Sequence, residues 1–84
     1  MNPDVQEAID YMTELEVEGN LPKNIKSKFA VIISELKKTT DENLSLTVNK
    51  LLADLDDISG DANLDQFTRQ QIWSISSMLE GIAN

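Results

Sequence analysis

Carboxylates are the residues of this sequence with the most obvious chemical potential, and they are densest between positions 54 and 65. This tract holds Asp54, Asp56, Asp57, Asp61 and Asp65. An EF-hand calcium loop needs oxygen ligands at alternating positions, a Gly at its sixth position and a Glu at its twelfth. A loop beginning at Asp57 places Ala62 and Thr68 at those two positions. The register fails twice, so we interpret the acids as solvated or helix-capping residues and predict no metal ligand. Weak divalent-cation binding through Asp54–Asp65 is the alternative.

The residue types that common enzymes rely on are largely missing. The sequence has no His and no Cys, which excludes an imidazole base and a thiolate nucleophile. Ser74, Ser76 and Ser77 therefore have no conventional base. No phosphate-binding Gly-rich motif is present. Paired carboxylates act as acid and base only in a cleft that shifts their pKa values, and a short helical bundle leaves little room for one. We predict no enzyme activity, catalytic residue, cofactor or small-molecule substrate.

Charge is unevenly distributed along the sequence. The net charge is −8, yet residues 22–39 hold five lysines and a single acid. The simplest interpretation is a basic helix beside acidic neighbours in one fold. The alternative is an RNA- or ribosome-associated protein that uses Lys23, Lys26 and Lys28 as a basic patch. The acidic total disfavours nucleic acid and anionic membranes as partners.

Trp73 is the only Trp, and it falls on the polar side of a predicted helix. At about 100° per residue, Trp73 lies opposite an apolar stripe and among Gln66, Arg69, Ser77 and Glu80. Two explanations are open. The chain covers the indole itself, for example with the guanidinium of Arg69 one turn earlier, or a second protein covers it. A homodimer is the simplest form of the second explanation, with Trp73, Arg69, Gln66 and Ser77 as the predicted interface.

Start and stop signals position these residues on four helices. The first helix follows the capping residue Asn2 and stops at Gly19. The second is predicted to start at Pro22, the third near the capping residue Ser45, and the fourth with Asp65 in its first turn.

Each predicted helix carries one apolar stripe at helical spacing. The stripes are Val5, Ala8, Ile9, Met12 and Leu15; Ile25, Phe29, Ile32, Ile33 and Leu36; Leu44, Val48, Leu51, Leu52, Leu55 and Ile58; and Leu64, Phe67, Ile72, Ile75, Met78, Leu79 and Ile82. Four such stripes with short connections predict an all-α, compact antiparallel four-helix bundle that forms a single domain over residues 1–84. No apolar run is long enough to span a membrane. The lack of Cys fits a reducing cytosol, so we predict a cytoplasmic location.

Several segments resemble a known family. They are LDDISGDANL at 55–64, TRQQIWSI at 68–75, MLE at 78–80 and LPKNIK at 21–26. Over roughly Leu21 to Glu80 they are similar to short archaeal proteins of the uncharacterised protein family 0147. The resemblance implies a compact four-helix bundle, with the handedness of the bromodomain-like mirror variant of the up-and-down topology. It implies no activity, cofactor or binding residue. One departure is Asp65, where the family commonly has Pro; we expect the acid to support the helix start by its charge.

The function predicted from these observations is coarse. We expect a non-enzymatic helical protein that acts through protein–protein contacts, with a protein partner or a second copy of itself. RNA or ribosome association and divalent-cation binding are the alternatives stated above.

Overall fold

Helices account for about four fifths of the chain that the structure describes. The computed structural model describes residues 2–83. Its elements are α1 (Pro3–Glu18), α2 (Lys23–Lys38), α3 (Leu44–Ser59) and α4 (Gln66–Ala83), and no strand occurs within those residues. The predicted all-α class and the four helices are confirmed.

The helix starts follow the predicted chemistry in one case and depart from it in another. The side chain of Asn2 accepts a hydrogen bond from the backbone N–H of Asp4 at 2.8 Å, and Pro3 is the first helical residue, as predicted. Helix α3 begins at Leu44, so the prediction that Ser45 caps it is wrong. Asn43 precedes the helix in an αR conformation, without a side-chain capping bond, so the helical turn is already formed when Ser45 is reached.

The core is a single cluster to which all four helices contribute. Its buried members are Val5, Ala8, Ile9, Met12, Leu15, Ile25, Phe29, Ile32, Ile33, Leu36, Val48, Leu51, Leu55, Ile58, Leu64, Ile72, Ile75 and Leu79. Leu44, Leu52, Met78 and Ile82 pack partly buried against it. The predicted stripes of α1 and α2 are therefore confirmed residue for residue.

Phe67 is the one wrong member of the predicted core. Its side chain is 64% exposed, whereas the neighbouring Thr68 is only 5% exposed. Thr68 precedes Ile72 by four residues and Ile75 by seven, so it lies on the buried face of α4. Phe67 is one residue earlier, about 100° around the helix, and lies at the flank towards α1.

The helices form a closed ring of neighbours. Contacts join α1 to α2, α2 to α3, α3 to α4 and α4 back to α1, with the most extensive packing between α3 and α4. Glu35 near the end of α2 meets Lys50 near the start of α3, which shows that these two helices run antiparallel. The described part measures 35 × 20 × 17 Å. The handedness implied by the resemblance stays a prediction. None of the described helices combines the length and apolarity that a membrane crossing needs.

Candidate functional site

Arg69 lies against the connection between α3 and α4 and binds three backbone carbonyls. Its Nε donates to the carbonyl oxygen of Ser59 at 2.9 Å. Its Nη2 donates to the carbonyl oxygens of Asp61 at 3.0 Å and Leu64 at 3.3 Å. The hydrogen-bonding capacity of Arg69, which the sequence analysis placed in an interface, is thus directed into its own chain.

These bonds complete the end of α3. The last four carbonyls of a helix have no partner within the helix. Here the carbonyl of Asp56 accepts from the Ser59 hydroxyl, that of Asp57 from the Gly60 N–H, and that of Ile58 from the Asp61 N–H. The carbonyl of Ser59 is the fourth, and Arg69 supplies its donor. The only Arg of the chain therefore has a structural task that helical periodicity alone does not reveal.

Asp65 caps α4 instead of lying in its first turn. It precedes the first helical residue, Gln66, and its Oδ1 accepts a hydrogen bond from the backbone N–H of Thr68 at 2.8 Å. Hydrogen bonds from the Thr68 side chain and backbone are the main cause that lowers the pKa of Asp65 below its ordinary value. The expectation that Asp65 supports the helix by charge from within the first turn is corrected, because its main contribution is a direct side-chain cap.

The acidic tract 54–65 is dispersed by the fold. Asp54 contacts Lys50 at 3.3 Å. Asp61 accepts from the backbone N–H of Asn63 at 2.8 Å and from the side chain of Asn24 at 3.4 Å. Within residues 2–83, no three carboxylates are grouped as a metal ion would require. The acids of the tract therefore do not converge on one point within those residues.

The three lysines of the predicted basic patch do not lie together. Lys23 and Lys26 line one depression, beside Glu16 and Val17 of α1. Lys28 lines a different depression on the side of α2 that faces α3. All three are exposed. A surface that follows a nucleic-acid backbone needs several cations side by side. Of the three predicted lysines, only Lys23 and Lys26 line the same depression.

Lys50 holds the ion pairs of the described residues, which were not foreseen from the sequence. Its Nζ lies 2.9 Å from a carboxylate oxygen of Glu35 and 3.3 Å from one of Asp54. The hydrogen bond to Glu35, followed by that to Asp54, raises the pKa of Lys50. This exposed pair links α2 to α3 and contributes little to stability in salt.

Trp73 is half covered by its own chain and 49% exposed. The side of α4 directed away from the core, which we call the α4 outer face, comprises Gln66, Gln70, Trp73, Ser74, Ser77 and Gly81. All six are exposed and uncharged, and the exposed carboxylate of Glu80 lies beside them, about 20° from Trp73 around the helix. The structure thus brings Gln66, Trp73 and Ser77 of the predicted interface onto one surface. Arg69 lies at its edge with its donors turned towards α3.

A second surface, which the sequence analysis missed, lies between α1 and α4. This α1–α4 groove has a volume of about 380 Å³ and is lined chiefly by Tyr11, Glu14, Glu18, Phe67 and Gln71. Phe67 is its most exposed aromatic wall. Assigning Phe67 to the core concealed the groove; the only signal in the sequence was that Thr68 matches the α4 stripe better than Phe67 does.

Comparisons with known proteins agree with the resemblance. Residues 1–82 match the uncharacterised protein family UPF0147. A UPF0147 protein of Archaeoglobus fulgidus is 33% identical over 79 residues, covering 94% of this chain and 88% of the relative. UPF0147 proteins of Methanosarcina mazei and Methanosarcina acetivorans are each 31% identical over 78 residues, which is 93% of this chain and 83% and 79% of the relatives. No solved structure matches significantly.

The match extends further than the motifs indicated. The segments quoted above began at Leu21, whereas the family match also includes all of α1. The first helix of this chain therefore lies within the family match. With a family match over almost the entire sequence and relatives above 30% identity, the chain belongs to the archaeal uncharacterised protein family UPF0147.

Proposed function

We propose that this protein is a non-enzymatic helical module that acts through protein–protein contacts, and that it pairs with a second copy of itself through the α4 outer face. The observation that carries the proposal is Trp73, a half-exposed indole on a surface whose one neighbouring carboxylate is Glu80, in a chain whose net charge is −8. Trp is among the residues most enriched at the energetic centres of protein interfaces.

Electrostatics favours this face over the others. Two copies with a charge of −8 repel each other on approach. The repulsion is smallest where each copy presents few carboxylates, and the α4 outer face presents one nearby, Glu80, which lies seven residues after Trp73. By contrast, α1 carries six acids and no basic residue. A two-fold pairing of α4 against α4 therefore brings together the least repulsive surfaces.

The magnitudes indicate a modest affinity. A side chain the size of Trp buries up to about 250 Å², so covering the exposed half of Trp73 removes roughly 120 Å² from water. At ~25 cal/mol per Å² this is about 3 kcal/mol from each copy. Association itself costs at least about 4 kcal/mol, so the two indoles alone give little net binding. The remaining face must also pack closely.

Small residues on the same face permit that packing. Ser74 and Ser77 lie beside Trp73, and Gly81 is one turn beyond. A Cβ built on Gly81 meets no atom within 4 Å, so the bundle itself does not require Gly there. Gly81 lies near the end of α4 and adds no side chain that would hold a second helix away from this face.

Sedimentation tests the proposal with matched variants. The wild type is expected to dimerise over about 10–300 µM, as the modest interface implies. Trp73→Ala removes the central contact and Ser77→Glu introduces repelling charge, so both are expected to be monomeric. Leu46, which is 75% exposed on α3, provides the control: Leu46→Ser removes as much exposed apolar surface elsewhere and should still dimerise. A wild type that remains monomeric throughout this range would refute the proposal.

Two further features of the proposal rest on composition and on the shared core. We place the protein in the cytoplasm because a chain without Cys suits a reducing compartment. We treat residues 1–84 as one functional unit because all four helices contribute to one core.

A further inference from the structure

We propose that the α1–α4 groove binds a basic segment of a partner protein, one that presents a Lys or Arg beside an apolar side chain. This goes beyond the proposed self-association because it concerns another surface. Phe67 and Trp73 are six residues apart, which separates them by about 120° around α4. Phe67 borders α1, and Trp73 lies on the α4 outer face.

The groove has room for one or two side chains between aromatic walls. Its volume of about 380 Å³ lies at the lower end of the range for ligand pockets in proteins. Tyr11 of α1 is half-buried in it, and Phe67 of α4 is exposed at its wall. In this turn of α4 the buried side chain is that of Thr68, whereas most of the Phe67 side chain is exposed. The packing of the core therefore does not explain an aromatic residue at position 67.

The charge around these aromatic rings selects a cation. Glu14 and Glu18 line the groove one helical turn apart, and Asp65 lies at its end. No Lys or Arg lines it. In the described part of the chain, neither Glu14 nor Glu18 has a cation within 4 Å. Like charges at this spacing repel each other within a helix. A bound cation relieves that repulsion.

The combination of acids and aromatic rings narrows the class of ligand. A metal ion needs several carboxylates converging on one point, and no such group occurs among residues 2–83. A nucleic acid would be repelled by the carboxylates. A Lys or Arg side chain satisfies both parts of the groove, because its charged end pairs with Glu14 or Glu18 while the cation or its methylene stem lies over Phe67. A neighbouring apolar residue of the same segment would fill the space beside Tyr11.

Fluorescence anisotropy with three labelled peptides tests this inference. The first is a 14-residue amphipathic peptide of Lys and Leu, the second replaces each Lys by Glu, and the third replaces each Leu by Ser. The Lys/Leu peptide is expected to bind with a Kd on the order of 10–100 µM, and the other two at least about tenfold more weakly, because charge and apolar contact are both required. Failure of the Lys/Leu peptide to bind at 1 mM, or equal binding by the Lys/Ser peptide, would overturn the inference.

Variants of the protein locate the binding. The double variant Glu14→Gln, Glu18→Gln and the single variant Phe67→Ser should each weaken the Lys/Leu peptide by about tenfold. Asp56→Asn with Asp57→Asn removes two equally exposed charges from α3 and should change the Kd by less than about twofold, since those residues lie outside the groove. Equal losses in the two double variants would show diffuse attraction and refute the inference.

The same peptide distinguishes this inference from self-association. Trp73→Ala should leave the Kd for the Lys/Leu peptide unchanged, because Trp73 does not line the groove. Conversely, Phe67→Ser should leave sedimentation unchanged. Far-UV circular dichroism of each variant confirms that the exposed substitutions preserve the helices.

Discussion

Replacing Arg69 with Met should destabilise the bundle markedly, although Arg69 was expected from the sequence to serve an interface. Met retains most of the side-chain stem and removes all three donors. The carbonyl of Ser59, a residue only 8% exposed, would then lack a partner, and a buried unsatisfied polar group costs about 1–3 kcal/mol. The carbonyls of Asp61 and Leu64 belong to the connection between α3 and α4, and losing their bonds adds about 1 kcal/mol. The expected total is about 2–4 kcal/mol.

That loss is large for a chain of 84 residues, whose total stability is expected to be about 4–12 kcal/mol. Urea unfolding followed by circular dichroism at 222 nm measures it directly, and the melting temperature should fall by at least about 10 °C. Gln70→Met is the matched control, because Gln70 is exposed and makes none of these bonds. If Arg69→Met and Gln70→Met have the same stability within about 0.5 kcal/mol, the capping role assigned to Arg69 is wrong.

Three further substitutions test local features of the fold. The pKa of Asp65 is lowered in the folded state, so the stability that its carboxylate contributes is complete above the ordinary pKa of 3.8 and is lost as the pH falls through the folded-state pKa. Asp65→Ala should therefore lower the free energy of unfolding at pH 7. In urea titrations at decreasing pH, this variant should lose less stability than the wild type. The pKa of Lys50 is raised in the folded state, so the stability that its ammonium group contributes is complete below the ordinary pKa of 10.5 and is lost at higher pH. The melting temperature of Lys50→Met should therefore fall less steeply at alkaline pH than that of the wild type, and an equally steep fall would contradict this. Gly19→Ala should cost about 1–3 kcal/mol in urea unfolding, because a Cβ there lies 2.5 Å from the carbonyl oxygen of Leu15, whereas Gly60→Ala, with ordinary contacts, should be tolerated.

Local rules of sequence predicted most of the fold. Asn2 and Pro3 at the start of α1 are read directly from residue type, because a capping side chain bonds to the backbone only two residues away. The stripe of α2, from Ile25 to Leu36, is read from periodicity because only one face of a helix can contact the core. The first prediction depends only on interactions within one helix. The second needs only that some apolar surface covers the stripe, whichever helix supplies it.

The errors arose where the outcome depends on a particular neighbour. Phe67 was assigned to the core because it is apolar, but Thr68 has the correct angle on the helix and excludes it. Arg69 was placed by periodicity beside Trp73, whereas the carbonyls left unpaired at the end of α3 draw its guanidinium to the other side. A helical wheel of α4 shows only the residues of α4, so it cannot reveal a bond from Arg69 to a carbonyl at the end of α3. The groove was missed for the same reason, since it exists only where α1 and α4 meet.

Helix α4 therefore has a different environment on each of its four sides, and this explains why it holds most of the unusual residues of the chain. Its core side is ordinary packing around Ile72 and Ile75. On its α3 side, Arg69 donates a hydrogen bond to the carbonyl of Ser59, and α3 and α4 form the most extensive helix contact of the fold. About half of Trp73 and two thirds of Phe67 remain exposed after this packing, and aromatic residues are enriched at protein interfaces. The remaining two sides of α4 carry the two proposals: the side of Trp73, with few charges, for a second copy of the chain, and the acidic side of Phe67 for a basic segment.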